Sequence, residues 1–238
     1  MIPKKIHYCW FGKNELPEKA RKCINSWKKY CPDYEIIEWN ETNIDINMNP
    51  YTRMCYEEKK FAFLTDYIRL VVIQEYGGIY MDTDVEVVKN LNPLLENEAY
   101  FGFEDKDYVN TGMGFGAVAD SPVVDALIRE YNELLDGKKG VISCPLLNTR
   151  ALIKKGLKLT GEEQKFADFI VLPTEYLNPY DSKTGRLNKT ENTYSIHWYA
   201  MSWFSTKMKL QNKITQIIHR IFGVDFSRKI KYIFQKKV

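Results

Sequence analysis

Asp82 and Asp84 stand two residues apart, directly after the short apolar run Ile79-Tyr80-Met81. On an extended backbone, positions i and i+2 point the same way. The spacing therefore predicts a strand that delivers two carboxylates to one spot. Like charges aimed at one point repel, and a divalent cation is the usual remedy. Mg²⁺ or Mn²⁺, held by one or two carboxylates with phosphate oxygens completing the shell, suits so few protein ligands. A bare Asp-x-Asp is also a common solvated turn, so the pair has to be weighed with what precedes it. Asp66 and Arg69 are three apart inside the apolar run Leu64, Ile68, Leu70, Val71, Val72 and Ile73. Residues three apart share one face of a helix, and Asp and Arg are rarely buried without a partner or a task.

The elements that must position these groups follow from the same stretch. Residues 61–76 leave almost no polar face, which predicts a helix buried on most sides. Gly77-Gly78 ends it, where positive φ costs least. Before it, residues 4–10 read as a strand, 17–30 as a helix opened by Pro17, and 34–39 as a second strand. That is a βαβ unit, the building block of parallel sheets that bind ligands at the carboxyl ends of their strands. Another helix is expected from Asn49-Pro50 running into the central stretch, and His7 reads as a histidine of the core, or one that backs a ligand, rather than as a ligand itself.

The run Ala62, Thr65-Asp66, Arg69, Gly77-Gly78, Tyr80, Asp82, Asp84 resembles the signature of DXD-type sugar transferases, specifically glycosyltransferase family 32. That family includes fungal initiating mannosyltransferases and bacterial capsule-type transferases, and the large clostridial glucosylating toxins share a similar signature. The resemblance implies an α/β fold of GT-A type, a Rossmann-like mixed sheet flanked by helices that binds a nucleotide sugar. It implies that Trp10 stacks on the nucleobase and that Tyr80 and Asp82 belong to the donor site. Asp66 is expected to hold donor-sugar hydroxyls, Arg69 to assist the leaving diphosphate, and Asn110 to face the transferred sugar. His197, Ser202 and Trp203 resemble the family's H-x4-S-W motif, in which His joins the two carboxylates on the metal while Ser and Trp close over the diphosphate. An imidazole beside two carboxylates favours Mn²⁺ over Mg²⁺. Stereochemical retention is implied in the same way.

Downstream, residues 99–104 read as a strand and 109–119 as a glycine-rich segment that lacks both the GxGxxG and the Walker spacing. Its small residues point to close approach of a ligand or a neighbouring strand. Helices are expected from Ser121-Pro122 to Leu135 and from Cys144-Pro145 to Lys155, with Thr149 facing the cleft. Residues 156–192 are irregular, hold one strand at 169–172, and read as the acceptor-side lobe.

The chain has 238 residues, 45% of them hydrophobic and 14% aromatic, ample for one core. No apolar run approaches a membrane span. The N-terminus enters a strand too soon for a signal peptide, and five cysteines without paired spacing suit reduced thiols, so a cytoplasmic protein is expected. The formal charge of +3 hides an asymmetry. From Ser205 onward nine Lys and Arg face one acid, Asp225, a net +8, which leaves −5 on the rest. Leu210, Ile214, Ile217, Ile218, Ile221 and Phe222 form one apolar stripe; Phe226, Ile230, Ile233 and Phe234 form a second. Two basic amphipathic helices read as an element for an anionic membrane surface, or as a tail packed on the body with a solvated basic face. The expected organisation is a transferase domain at 1–204 and a helical tail at 205–238.

The resulting expectation is a metal-dependent retaining transferase. It moves a hexose, from a UDP-sugar, to a polyprenyl-diphosphate-linked glycan at the inner face of the plasma membrane, in bacterial surface-polysaccharide synthesis. No nucleic acid is expected as a partner. The alternatives are a GDP-mannose donor, a haloacid-dehalogenase-like phosphotransferase suggested by Asp82-Thr83-Asp84-Val85, and a non-catalytic carbohydrate-binding protein. The phosphatase motif belongs after a first strand, and here two strands precede it.

Overall fold

The computed structural model describes residues 1–200 and 206–224. The N-terminal βαβ unit forms as expected: β1 (Lys5–Cys9), α1 (Glu18–Tyr30) and β2 (Glu35–Trp39). Helix α1 turns Ala20, Cys23, Ile24 and Trp27 inward, a 3-4 spacing that makes one apolar stripe. α2 (Pro50–Glu57) opens with a reciprocal capping box between Asn49 and Thr52. It does not continue into α3 (Phe61–Tyr76), as the sequence suggested. Lys59 takes φ 55° and the Lys60 amide donates to the Cys55 carbonyl, which closes one helix and redirects the next.

β3 (Gly78–Tyr80) and β4 (Val85–Val87) follow, then a 3₁₀ turn at Asn92–Glu96, β5 (Ala99–Asp105), β6 (Tyr108–Val109) and β7 (Phe115–Ala117). α4 (Pro122–Arg129) stops short of Leu135, and its Ser121 makes no side-chain cap; turns carry the chain onward and still bury Tyr131 and Leu134. α5 (Cys144–Lys154) precedes β8 (Gln164–Lys165), β9 (Ile170–Leu172), α6 (Thr174–Leu177), β10 (Tyr180–Asp181), β11 (Arg186–Leu187), β12 (Ser195–His197) and α7 (Thr206–Phe222). The stretch read as irregular thus holds a short hairpin, β10–β11, besides the expected strand.

The main sheet has the order β2-β1-β3-β7-β5-β9-β8, with β6 on β5. β1 pairs parallel with both β2 and β3. β7 is antiparallel to both β3 and β5, so β5 runs with β3, and β9 runs with β5. The carboxyl ends of β1, β2, β3, β5 and β9 therefore lie on one edge, where open α/β sheets take their ligands. Side chains alternate across the strands. Tyr80, Phe101 and Phe115 join a core with α2, α3, α4 and α5, whereas Ile79, Met81 and Tyr100 join a second core with α1. Helices cover both faces of a mixed sheet, as the sequence led us to expect.

Candidate metal and donor-sugar site

Helix α3 brings Asp66 and Arg69 to the ligand edge on one face. Arg69 is only 2% exposed, and a buried guanidinium must be answered by partners. Its Nη2 lies 3.0 Å from Asp66 Oδ1 and 3.0 Å from Asp82 Oδ1, Nε donates to the Thr65 carbonyl, and its plane sits over the Tyr80 ring. Tyr80, buried behind the site, donates its hydroxyl to Asp82 Oδ1 at 3.0 Å. Tyr80 thus reaches the edge through Asp82, and Arg69 ties two carboxylates together.

The aspartate pair does not sit on extended backbone. The Val85 amide donates to the Asp82 carbonyl at 3.0 Å, making a tight turn between β3 and β4. The carboxylates converge all the same, because β4 pairs antiparallel with β12 and sets His197 opposite Val85. Asp84 Oδ1 lies 3.3 Å from His197 Nε2, and Asp84 Oδ2 accepts the Ala200 amide at 2.7 Å. Ligand atoms from Asp82, Asp84 and His197 all fall within 4.8 Å of one another. His197 Nδ1 is buried with no hydrogen-bond partner. Two carboxylates and an imidazole converging in this way fit a divalent cation of the Mn²⁺ type.

Electrostatics distinguish the acids. Burial pushes Asp82 up, with Arg69 opposing and the Asp84 charge adding to the rise. Burial also acts to raise Asp84, but His197 and the Ala200 amide outweigh it and hold its carboxyl below the ordinary range. Burial works to lower His197; Asp84 first, then Asp82 and Glu104, overcome it and raise it. Asp66 is pushed up to about 6 by burial, against the pull of Arg69.

The glycine-rich segment closes the site from the other side. The Asp82 amide donates to the Gly112 carbonyl, and Asn110 Oδ1 accepts the Gly112 amide at 2.7 Å. Asp66, Arg69, Tyr80, Asp82 and Asn110 thus form one connected group, with Asp84 and His197 as its outer half. Cys144, at the start of α5, donates its thiol to Asn110 Oδ1 at 3.5 Å and accepts from Arg69 Nη1 at 3.8 Å, which joins α5 to the same group. In the sequence Cys144 is one of five cysteines without paired spacing, and its place at a helix start beside Pro145 is the one signal that sets it apart. Thr149 does not face the cleft: its buried hydroxyl accepts the Val109 amide and pins β6 to α5. Trp10 follows β1 at the ligand edge, half-buried, with Nε1 donating to the Asn14 carbonyl at 2.6 Å. Ser202 and Trp203 lie outside the described residues. His7 is a core residue, as expected.

A cavity of about 520 Å³ opens beside Asp84 and is rimmed by Lys19, Lys22 and Lys213. Lys213 comes from α7, which docks in an unusual sense. Gln216, His219 and Arg220 donate to the carbonyls of Ser182, Lys183, Thr184 and Gly185 in the β10–β11 hairpin. The polar face is the docked one, and Leu210, Ile214, Ile217 and Ile221 are each at least half exposed. No helix among the described residues is long and apolar enough to cross a membrane. The second apolar stripe lies outside the described residues.

Comparison with known proteins agrees with this geometry. Residues 17–101 match a family described as a glycosyltransferase sugar-binding region containing a DXD motif, and the Ala62–Asp84 resemblance falls inside the match. Inositol phosphoceramide mannosyltransferase 3 of Schizosaccharomyces pombe is 32% identical over 103 residues, covering 42% of this chain and 29% of its own length. The chain spans about a third of the length of such fungal relatives. An uncharacterized glycosyltransferase of Acanthamoeba polyphaga mimivirus is 24% identical over 212 residues, 85% of this chain and 84% of that one. The solved PaToxG glycosyltransferase shares the fold, with a TM-score of 0.53 at 20% identity over 65% of this chain and 69% of that one.

Proposed function

We propose that this chain, which carries the DXD-type glycosyltransferase sugar-binding region, is a metal-dependent, retaining hexosyltransferase that uses a nucleotide sugar. The observation that carries the reading is the convergence of Asp82, Asp84 and His197 at the carboxyl end of β3, next to the Asp66–Arg69 pair. Asp82, Asp84 and His197 hold the cation, which when bound offsets the charge that builds on the leaving diphosphate. Lys19, Lys22 and Lys213 beside Asp84 give that diphosphate a cationic surround. Asp66 accepts hydrogen bonds from the donor hexose, and Arg69 positions Asp66 and Asp82 for it. Asn110 faces the transferred hexose from the opposite wall.

In the transfer, the bond from the anomeric carbon to the diphosphate oxygen breaks and a bond to the acceptor oxygen forms. The acceptor proton leaves with the diphosphate. Asp66 and Asp82 are both committed to Arg69, so neither is free to act as a nucleophile, which supports a front-face route without a covalent intermediate. Asp82 also follows the third strand and is tied to Arg69 and Tyr80, an environment for holding a cation rather than for a phosphoaspartate.

The donor in this reading is a UDP-hexose, with Trp10 stacked on uracil. GDP-mannose is the second reading, favoured by the fungal relative named as a mannosyltransferase. The acceptor is a polyprenyl-diphosphate-linked glycan of bacterial surface-polysaccharide synthesis, met at the inner face of the plasma membrane. Support for that location is the exposed apolar row of α7 within a basic tail. A panel of UDP- and GDP-sugars incubated with the full chain and Mn²⁺, read as slow donor hydrolysis, tests the reading. Hydrolysis is expected for one UDP-hexose and is lost in Asp84→Asn; turnover that persists in Asp84→Asn, or without metal, rejects it.

A further inference from the structure

A second cavity, of about 320 Å³, opens where the carboxyl ends of β5 and β9 meet the β10–β11 hairpin. That volume lies within the range of small-molecule clefts, about 300–1,000 Å³. Its lining includes Glu104, Asp105, Glu175, Asn178, Tyr180 and Tyr199. Because β5 and β9 run with β3, this cavity shares the sheet edge that carries Asp82.

Tyr199 joins the cavity to the metal cluster. Its ring centroid lies 4.0 Å from that of His197. Its hydroxyl donates to Glu104 Oε1 at 3.1 Å and accepts from Asn178 Nδ2 at 2.8 Å. These bonds hold Tyr199 at φ 48°, a left-handed conformation that a bulky residue keeps only where its surroundings enforce it. Asn178 is 6% exposed; its Nδ2 also donates to the Glu104 carbonyl, while its Oδ1 has no partner. A buried amide oxygen left without a donor is costly unless something supplies one.

The lining charge decides what that something is. Glu104, Asp105, Glu175 and Asp181 outnumber Lys106 and Lys183, so the cavity repels phosphate, unlike the lysine-rimmed cavity beside Asp84. Carboxylates and an amide accept hydrogen bonds from hydroxyls, and Tyr180 and Tyr199 offer flat apolar surface to the C–H face of a pyranose. We propose that this cavity is the acceptor subsite and holds a neutral saccharide, with Tyr199 setting its reacting hydroxyl beside the metal cluster. The proposal rests on the transferase reading above and adds the acceptor's chemistry and place.

The test is saturation-transfer NMR on the full chain with Mn²⁺ and UDP, using methyl glycosides of glucose, galactose, mannose and N-acetylglucosamine as probes. At least one is expected to give a signal from wild type, reduced at least fivefold in both Glu104→Gln and Glu175→Ala, whose side chains line this cavity and not the lysine-rimmed one. Thermal melting and Mn²⁺-dependent UDP binding show that each variant is folded; should one fail to fold, the other decides. Absence of signal for every hexoside in wild type, or a signal that survives in the folded variants, overturns the subsite. A wild type that binds a hexoside yet hydrolyses no nucleotide sugar sinks the donor reading and leaves the saccharide subsite standing.

Discussion

A Cβ placed on Gly112 would lie 2.3 Å from Oδ2 of Asp82, closer than real Cβ contacts come. The glycine is there to let a carboxylate occupy the space, since no positive φ demands it. Gly112→Ala is therefore expected to fold, at a cost of about 1–3 kcal/mol for overpacking. It should weaken Mn²⁺-dependent UDP binding at least tenfold by pushing Asp82 out of line with Asp84. Calorimetry with and without Mn²⁺ checks this; affinity within twofold of wild type would mean that Asp82 Oδ2 is not needed at the cation.

His7 supplies a pH signature of the fold that is independent of the site. Its Nε2–H donates to the Gly77 carbonyl at 2.9 Å, and its Nδ1 accepts from Trp39 Nε1 at 3.0 Å, so the buried ring is satisfied only when neutral. Burial brings its pKa down to about 4, the Gly77 bond opposing. An unfolded histidine takes its proton near pH 6.5. Between these values the unfolded chain binds more protons, so stability is lost as pH falls from about 6.5 to about 4, by roughly 3 kcal/mol in all. Urea unfolding of wild type and His7→Gln at pH 7 and 4.5 isolates this contribution, because the titration of Asp66 is common to both. Equal pH dependence in the two proteins would exclude it.

The glycine pair and the near-absence of a polar face in residues 61–76 made α3, its end and β3 readable, and the same spacing put Asp66 and Arg69 together. The turn at Asp82 was not readable, because it depends on β4 meeting β12, more than a hundred residues away in sequence. Arg69 carries no mark in the sequence of which groups answer its charge; in the fold they are Asp66 and Asp82, with the Tyr80 ring against its plane. Thr149 looked like a cleft residue because helical spacing does not say which neighbour, here the Val109 amide, will claim a hydroxyl. The orientation of α7 was also hidden, since an amphipathic helix by default turns its apolar face inward. Here the exposed carbonyls of the β10–β11 hairpin draw the polar face instead.

Trp10 tests the nucleobase. Its indole N–H is already satisfied by the Asn14 carbonyl, so what the side chain has left to offer a ligand is ring surface. Trp10→Ala should weaken UDP binding by roughly 1–3 kcal/mol, the range for losing one base–aromatic stack. Trp10→Phe should restore part of it. Tighter binding of GDP than UDP by the wild type would reject the uridine assignment.

The exposed row on α7 has a consequence that separates a membrane surface from self-association. Leu210, Ile214, Ile217 and Ile221 repeat at helical spacing and stay outside, while the polar face is fixed to the hairpin. The helix also carries Lys207, Lys209, Lys213 and Arg220 and no acid, so two copies meeting along this row would bring like charges together. An anionic bilayer answers both features: each basic residue near it contributes about 1 kcal/mol, and the apolar row enters the headgroup boundary. Full-length protein is therefore expected to sediment with phosphatidylserine vesicles and to be released as salt is raised. Ile214→Glu/Ile217→Glu should abolish sedimentation without lowering the melting temperature, because both side chains are exposed in the free protein. Donor hydrolysis in solution should persist, since neither residue lines the metal site or the two cavities. Sedimentation that is unchanged by the double substitution, or a wild type that dimerises through this face and ignores vesicles, would remove the membrane assignment and leave the chemistry of the site untouched.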